Sequence, residues 1–187
     1  MLSITRFLAI FIFLFGAVAQ GTLVEGINFA PTHSIEEQVL VLNGVGIRKA
    51  TFLNIKVYVA GLYLIEKSSD ANSFLSDNKP KWLTMNFVRS VGKSDLTKAW
   101  DEGFQAAVPS DKLPSLQADR AQLNAWMEDL KSGDTMNFTF TAEGTVEVEI
   151  KGQLKGKIQN AEFAKSLLSV WFIKPRDKGL SQGLLGL

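Results

Sequence analysis

The chain has 187 residues, no cysteine and one histidine, and its 20 Lys and Arg residues nearly balance 19 Asp and Glu residues. That balance argues against nucleic-acid binding, which depends on clustered positive charge. Without cysteine, disulfides and thiol chemistry are excluded. A single histidine offers little to a His-rich metal site or a His-based catalytic triad, so no metal is predicted.

Residues 1–19 have the pattern of a cleavable signal peptide. Arg6 is their only charge, an apolar run from Phe7 to Phe15 follows, and Ala17-Val18-Ala19 supplies small residues at a cleavage site. The run is shorter than the roughly 20 residues of a membrane-spanning helix. An uncleaved anchor or a buried strand is the alternative interpretation. We therefore predict an exported protein, periplasmic or secreted, in which residues 20–187 form one domain with no membrane span.

The domain begins with strand-like segments. Val39–Asn43 is apolar and runs into Gly44-Val45-Gly46, whose glycines indicate a tight turn or a close approach of another backbone. These glycines lack the third glycine of a dinucleotide-binding motif, and no cofactor is predicted. Further strands are predicted at Ile47–Leu53, Val57–Ile65 and Trp82–Ser90. Since Val57–Ile65 is apolar on both of its alternating faces, we expect it to be covered on both sides.

Helical and strand-like segments then alternate in blocks. An apolar stripe with helical spacing follows Ser94, a predicted N-cap, and continues to Ala107, and a second helix is predicted at about Ser115–Lys131. The next three segments alternate as strands, at Met136–Phe140, Val146–Ile150 and Leu154–Ile158. A third helix is predicted at Ala161–Phe172. The tail after Leu180 is apolar. Strands and helices in separate blocks predict an α+β domain with segregated layers.

Two arginines in apolar strands are candidate site residues. Arg48 enters a strand beside the two glycines, and Arg89 shares a strand face with Leu83, Met85 and Phe87. A buried arginine requires a partner, and its planar fork suits a carboxylate or a polarised carbonyl oxygen. The alternative for each is an arginine whose stem covers apolar surface while its head reaches water.

Tyr58 and Tyr63 are the only tyrosines, and both lie on the strand that we expect to be covered on both sides. Each hydroxyl then needs a hydrogen-bond partner, although a core tyrosine is the simpler interpretation. Asp101 and Glu102 are adjacent on a helix and cannot share a face, so we interpret them as a solvated surface.

The segment Leu42-Asn43-Gly44-Val45-Gly46-Ile47-Arg48, with Tyr58-Val59-Ala60-Gly61-Leu62-Tyr63 after it, resembles the signature of the chalcone isomerase-like proteins, the bacterial exported branch above all. Met85-Asn86-Phe87-Val88-Arg89 and Phe163–Trp171 also fit, so the resemblance covers nearly the whole domain. It implies an open-faced β-sandwich, in which a large antiparallel sheet carries a helix layer on one face, with a cleft between sheet and helices.

The same resemblance implies two functions. Plant members are isomerases that close a flavanone ring and use an arginine in the cleft, whereas non-catalytic members bind fatty acids through that arginine with help from a tyrosine. Arg48 stands at the arginine's place and Tyr58 is the better tyrosine candidate. The isomerases carry a tyrosine and an asparagine in the segment that matches Gly92–Gly103, where this sequence has Asp95 and Glu102 instead. Two carboxylates there disfavour a phenolate substrate.

Three hypotheses follow. The first is a non-catalytic domain that binds a small apolar ligand, for example a fatty acid, with Arg48, Tyr58, Tyr63 and Arg89 as ligand-binding residues. The second is an intramolecular lyase or isomerase in which Arg48 stabilises an enolate. The third is an interaction protein without a small ligand, which uses its apolar tail on a partner or a membrane surface.

Overall fold

The computed structural model describes residues 21–50 and 53–187, so the predicted signal peptide lies outside the described residues. Its strands are β1 (Thr22–Val24), β2 (Ile27–Phe29), β3 (Thr32–Ile35), β4 (Gln38–Ala50), β5 (Ile55–Leu64), β6 (Lys81–Phe87), β7 (Thr135–Phe140), β8 (Thr145–Ile150) and β9 (Gln153–Gln159). Its α-helices are α1 (Ala71–Ser76), α2 (Lys93–Ala107), α3 (Gln117–Trp126), α4 (Ala161–Ser169) and α5 (Lys178–Leu184).

Strands β3 to β9 form one antiparallel sheet in sequential order, and β1 and β2 form a separate hairpin. The main core lies between the sheet and the helices, where Leu83 and Phe138 of the strands meet Trp100, Phe104 and Phe163 of the helices. This arrangement confirms the predicted α+β class and the large antiparallel sheet with helices on one face.

Strand β5 is covered on both faces, as its two apolar faces predict. Ala60 and Leu62 belong to the main core on the helix side. Val59 and Tyr63 belong to a smaller cluster on the other side, which Phe29 of the β1–β2 hairpin covers. The hairpin itself has no counterpart in the sequence predictions.

The helix boundaries differ from the predicted ones where tertiary contacts decide them. Gly92, not Ser94, is the N-cap of α2, and the Lys93 N–H donates to Asp129 Oδ1 over 2.8 Å. Helix α3 ends at Trp126, short of the predicted Lys131, because the chain is extended at Met127 and then pairs with the loop before α2. Helix α4 likewise ends three residues before the predicted Phe172.

The two glycines of the signature mark a close backbone approach and not a turn. Strand β4 runs straight through Gly44 and Gly46, and the backbone of α5 lies directly on both. A Cβ atom at Gly44 would overlap the carbonyl oxygen of Gly183. Since a glycine has no side chain, the sheet and α5 approach more closely here than any other residue would allow.

Asn43 occupies a β-bulge beside these glycines. Leu42 pairs with Tyr63 and Gly44 with Leu62, so Asn43 has no partner in the β4–β5 ladder. Its buried amide donates to the carbonyl oxygens of Ser68 and Leu184 over 3.0 and 2.8 Å and accepts the Ser68 N–H over 2.7 Å. The bulge therefore fastens β4 to α5 and to the loop before α1.

A second irregularity in the same ladder changes the direction of one side chain. Arg48 pairs with Tyr58 and Lys49 with Lys56, which leaves Val57 as the extra residue of β5. Strict alternation predicts that Val57 and Tyr58 point to opposite faces. Both instead line the same cavity on the helix side, because the bulge re-aims Val57.

Candidate ligand-binding site

A cavity of about 500 Å³ lies between the sheet and the helix layer, within the range of roughly 300–1,000 Å³ that is usual for small-molecule sites. Strands β4, β5 and β6 form its floor, and α2 with the segment that joins α4 to α5 forms its roof. Most of the lining side chains are apolar: Val57, Met85, Phe87, Val91, Leu96, Trp100, Val170, Trp171 and Leu180. Eight lining residues are polar, besides the hydroxyl of Tyr58, namely Arg48, Arg89, Ser90, Asp95, Lys98, Glu102, Arg176 and Asp177.

Arg48 faces this cavity from β4. Its side chain is 19% exposed, so most of it is covered by the protein. The Nη1 group donates to the carbonyl oxygen of Lys49 and lies 3.5 Å from Oδ2 of Asp177. Nε and Nη2 donate to no residue among those the structure describes.

Asp177 is the polar residue that the sequence predictions missed. It is the N-cap of α5, accepts the Leu180 N–H over 3.1 Å, and also accepts the Lys49 N–H over 2.6 Å. Burial alone would raise the pKa of its carboxyl, but these N–H groups and the charge of Arg48 outweigh burial and hold the pKa below its usual value. Asp177 is therefore ionised in the folded protein at neutral pH.

Tyr58 lies beside Arg48 because the two residues are direct cross-strand partners. Its hydroxyl accepts a hydrogen bond from Nε1 of Trp171 over 3.3 Å. Burial raises the pKa of this tyrosine to about 12, against smaller opposing effects of the Trp171 hydrogen bond and Arg48. The phenol thus keeps its proton, and the O–H remains a donor toward the cavity.

The other two predicted residues occupy different places. Arg89 lines the cavity as an exposed residue in the bend after β6, which ends at Phe87, so the prediction that Arg89 lies on that strand's face is wrong. Tyr63 is not brought to this cavity, because it lies on the other face of β5, where its hydroxyl donates to the Ala30 carbonyl oxygen over 2.9 Å. The structure thus gathers Arg48, Tyr58 and Arg89 around one cavity and leaves Tyr63 apart.

Acidic residues of α2 lie at the exposed rim. Asp95 and Glu102 both line the cavity, and Glu102 forms an ion pair with Arg176 and a longer one with Lys98 at 4.0 Å. The Glu102 side chain is 39% exposed, which agrees with its interpretation as part of a solvated surface, and it is ion-paired as well. Asp101, on the adjacent face, accepts from Nη2 of Arg120 over 2.7 Å away from the cavity.

Within residues 21–50 and 53–187, no group of three or more His, Asp or Glu side chains is placed to hold a metal ion. In the same part of the chain, no helix has the length and apolar character needed to cross a bilayer.

The chain belongs to the chalcone isomerase-like family, because the family model with that description matches residues 21–186. Among solved structures, the chain is similar to a fatty-acid binding protein of Arabidopsis thaliana. The alignment has a TM-score of 0.66 and 18% sequence identity and covers 89% of this chain and 96% of that one. At this identity the likeness establishes the fold. A search of the curated proteins finds no match.

Proposed function

We propose that this protein is a non-catalytic binding domain that takes a small apolar ligand with an acid head, such as a fatty acid, into the cavity between sheet and helices. One observation carries the proposal: the guanidinium of Arg48 and the hydroxyl of Tyr58 lie side by side in a cavity whose other walls are mostly apolar. Such a site is typical of small-molecule binding. The fatty-acid binding function of a structural neighbour supports the same ligand class.

The residues of α2 favour binding over isomerisation. The tyrosine and asparagine that the family's isomerases carry in this segment are absent, and Asp95 and Glu102 line the cavity instead. A phenolate substrate would meet these carboxylates at the rim, and like charges raise the free energy of an anion there. The arginine is present without its catalytic partners, which is the combination expected of a binder.

Mass spectrometry of a lipid extract from the purified protein tests the proposal. We expect a bound acid in the wild-type extract and none in that of Arg48→Ala. Arg120→Ala is the matched control, because Arg120 is 18% exposed and ion-paired, much like Arg48, but lies outside the cavity. An empty wild-type extract with no uptake of added fatty acid would contradict the proposal. Turnover of a chalcone-like enone that Arg48→Ala abolishes would favour the isomerase.

We also propose that the protein is exported, to a bacterial periplasm or outside the cell, with cleavage after Ala19. The supporting observation is the order of Arg6, an apolar run and Ala17-Val18-Ala19. Intact-mass measurement of protein from fractionated cells should give a chain that begins at Gln20 outside the cytoplasm. Replacement of Ala17 and Ala19 by Leu should leave the longer chain. A full-length wild-type protein in the cytoplasm would contradict export.

A further inference from the structure

The acid-binding end of the cavity already holds a carboxylate of the protein itself. Nη1 of Arg48 lies 3.5 Å from Oδ2 of Asp177, and the two side chains are 19% and 13% exposed. At such a distance in a largely buried place, the attraction between opposite charges is strong, and the Asp177 carboxylate partly cancels the positive charge of Arg48. A ligand carboxylate at Arg48 would therefore meet a second negative charge as well as the guanidinium.

No other charged group in the described part of the cavity removes this conflict. Arg176, next to Asp177, forms its ion pair with Glu102 of α2, and Lys98 contacts the same carboxylate. Arg89 and Asp95 line the cavity but are exposed, so water screens their charges. Two lysines lie close to Asp177 in the structure. Lys178 follows it in the chain, and Lys49 donates its backbone N–H to it, but both lysines are exposed on the protein surface.

The hydrogen-bonding groups at this end are two donors and one acceptor. Nε and Nη2 of Arg48 donate to none of the described residues, and the Tyr58 hydroxyl accepts from Trp171 and so has its own proton to give. Asp177 accepts N–H groups from Lys49, Leu180 and Gly179, and because a carboxylate has about four acceptor sites, it has capacity for one more donor. A matching head group must accept from the first two residues and donate to the third.

We propose that the cavity selects a neutral head that both accepts and donates a hydrogen bond, so that a fatty acid binds in its protonated form and a primary amide binds equally well. This inference rests on the proposed function, since it concerns the head group at Arg48. The head accepts from Arg48 and Tyr58 and donates to Asp177. Asp177 is then the residue that determines which head groups bind.

The pH dependence of binding follows from this selection. A carboxylic acid is mostly ionised above about pH 5, so it must take up a proton to bind. Its apparent affinity therefore falls about tenfold for each further pH unit. An amide does not titrate in this range, and its affinity should stay constant.

Calorimetric titration with octanoic acid, octanamide and methyl octanoate tests the proposal. From about pH 5.5 to about pH 7.5 we expect octanoic acid to lose affinity about a hundredfold, and octanamide to lose none. Methyl octanoate, which cannot donate to Asp177, should bind at least about tenfold more weakly than the amide.

The variant Asp177→Asn removes the negative charge and keeps an oxygen that can cap α5. It should abolish the pH dependence of octanoic acid binding and raise its affinity at neutral pH by about tenfold or more. Asp70→Asn is the matched control, because Asp70 is the N-cap of α1 and lies outside the cavity. If Asp177→Asn does not fold, the three ligands on the wild-type protein still decide the question.

The two proposals fail in different ways. The wild-type protein could bind octanoic acid without pH dependence while Arg48→Ala abolishes binding. That result overturns the selection by Asp177 and leaves the proposed function intact. Ligands that do not bind, or that bind equally well to Arg48→Ala, overturn the proposed function and the selection together.

Discussion

The backbone of Gly46 lies directly against the carbonyl oxygen of Leu180, with no room between them for a Cβ atom. This contact seats α5 on β4 and so places the N-cap residue Asp177 against Arg48. The relative position of Arg48 and Asp177 thus depends on a residue that has no side chain.

Gly46→Ala is accordingly expected to lower the free energy of unfolding by about 1–3 kcal/mol, because a backbone oxygen cannot rotate away from the new methyl group as a flexible side chain could. Ligand affinity should fall as well, since α5 must move. Urea denaturation and ligand titration measure the two effects.

Gly92→Ala is the control for this substitution. A Cβ atom at Gly92 would lie 3.8 Å or more from its neighbours, and the φ angle of −73° suits any residue. Its cost should stay below about 1 kcal/mol. Equal losses of unfolding free energy in the two variants would contradict the prediction that the contact of Gly46 with α5 excludes a side chain.

The two tyrosines provide a matched pair. Tyr58→Phe and Tyr63→Phe each remove one hydroxyl that has a single partner among the described residues, Trp171 for Tyr58 and Ala30 for Tyr63. Each should therefore cost about 1 kcal/mol of unfolding free energy. Only Tyr58→Phe should weaken fatty-acid binding, because Tyr63 lies on the far side of the sheet. A similar loss of affinity in both variants would disprove the assignment of Tyr58 to the site.

Asp177 should make the stability of the protein depend on acid pH. Its pKa is lowered in the folded state, so its contribution is fully present above the unfolded pKa of about 3.9 and is lost as pH falls through the folded value. Wild-type protein should be more stable than Asp177→Asn at neutral pH, and the difference should shrink below about pH 4. Denaturant titrations of both proteins across this range measure it. A difference that stays constant with pH would contradict the lowered pKa.

Tryptophan fluorescence should report ligand entry from one side of the sheet. Trp100 and Trp171 line the cavity, whereas Trp82 stacks on His33 over 3.7 Å on the opposite face. A bound apolar chain excludes water from the first two indoles and should shift their emission to shorter wavelengths. Trp171→Phe should reduce the shift and Trp82→Phe should preserve it. Dependence of the shift on Trp82 would place the ligand elsewhere.

The regular parts of the fold were predictable from periodicity. Strands β7 and β8 appear where the alternation placed them, since each has one buried and one solvated face. Helix α5 was missed because its seven residues, two of them glycines, show only an apolar tail in the sequence. Its position is fixed by packing on Gly44 and Gly46. The glycines indicated a close approach of some backbone as one possibility, but no local pattern shows that α5 is the segment that approaches.

The cavity was predictable in part. The signature indicated Arg48, and strand alternation put Tyr58 and Tyr63 on opposite faces. Asp177 could not be found in this way, because an aspartate after Pro175-Arg176 has no local signal that links it to Arg48. Only the folded structure shows that Arg48 forms an ion pair with Asp177.

The contacts that complete the cavity join distant parts of the chain. The hydrogen bond from Lys49 to Asp177 spans 128 positions, and that from Asn43 to Leu184 spans 141. Ordering so long an intervening chain carries a large entropic cost until the sheet between them exists. During refolding, the strands should therefore form first, and the ability to hold a ligand should return only in the slowest phase.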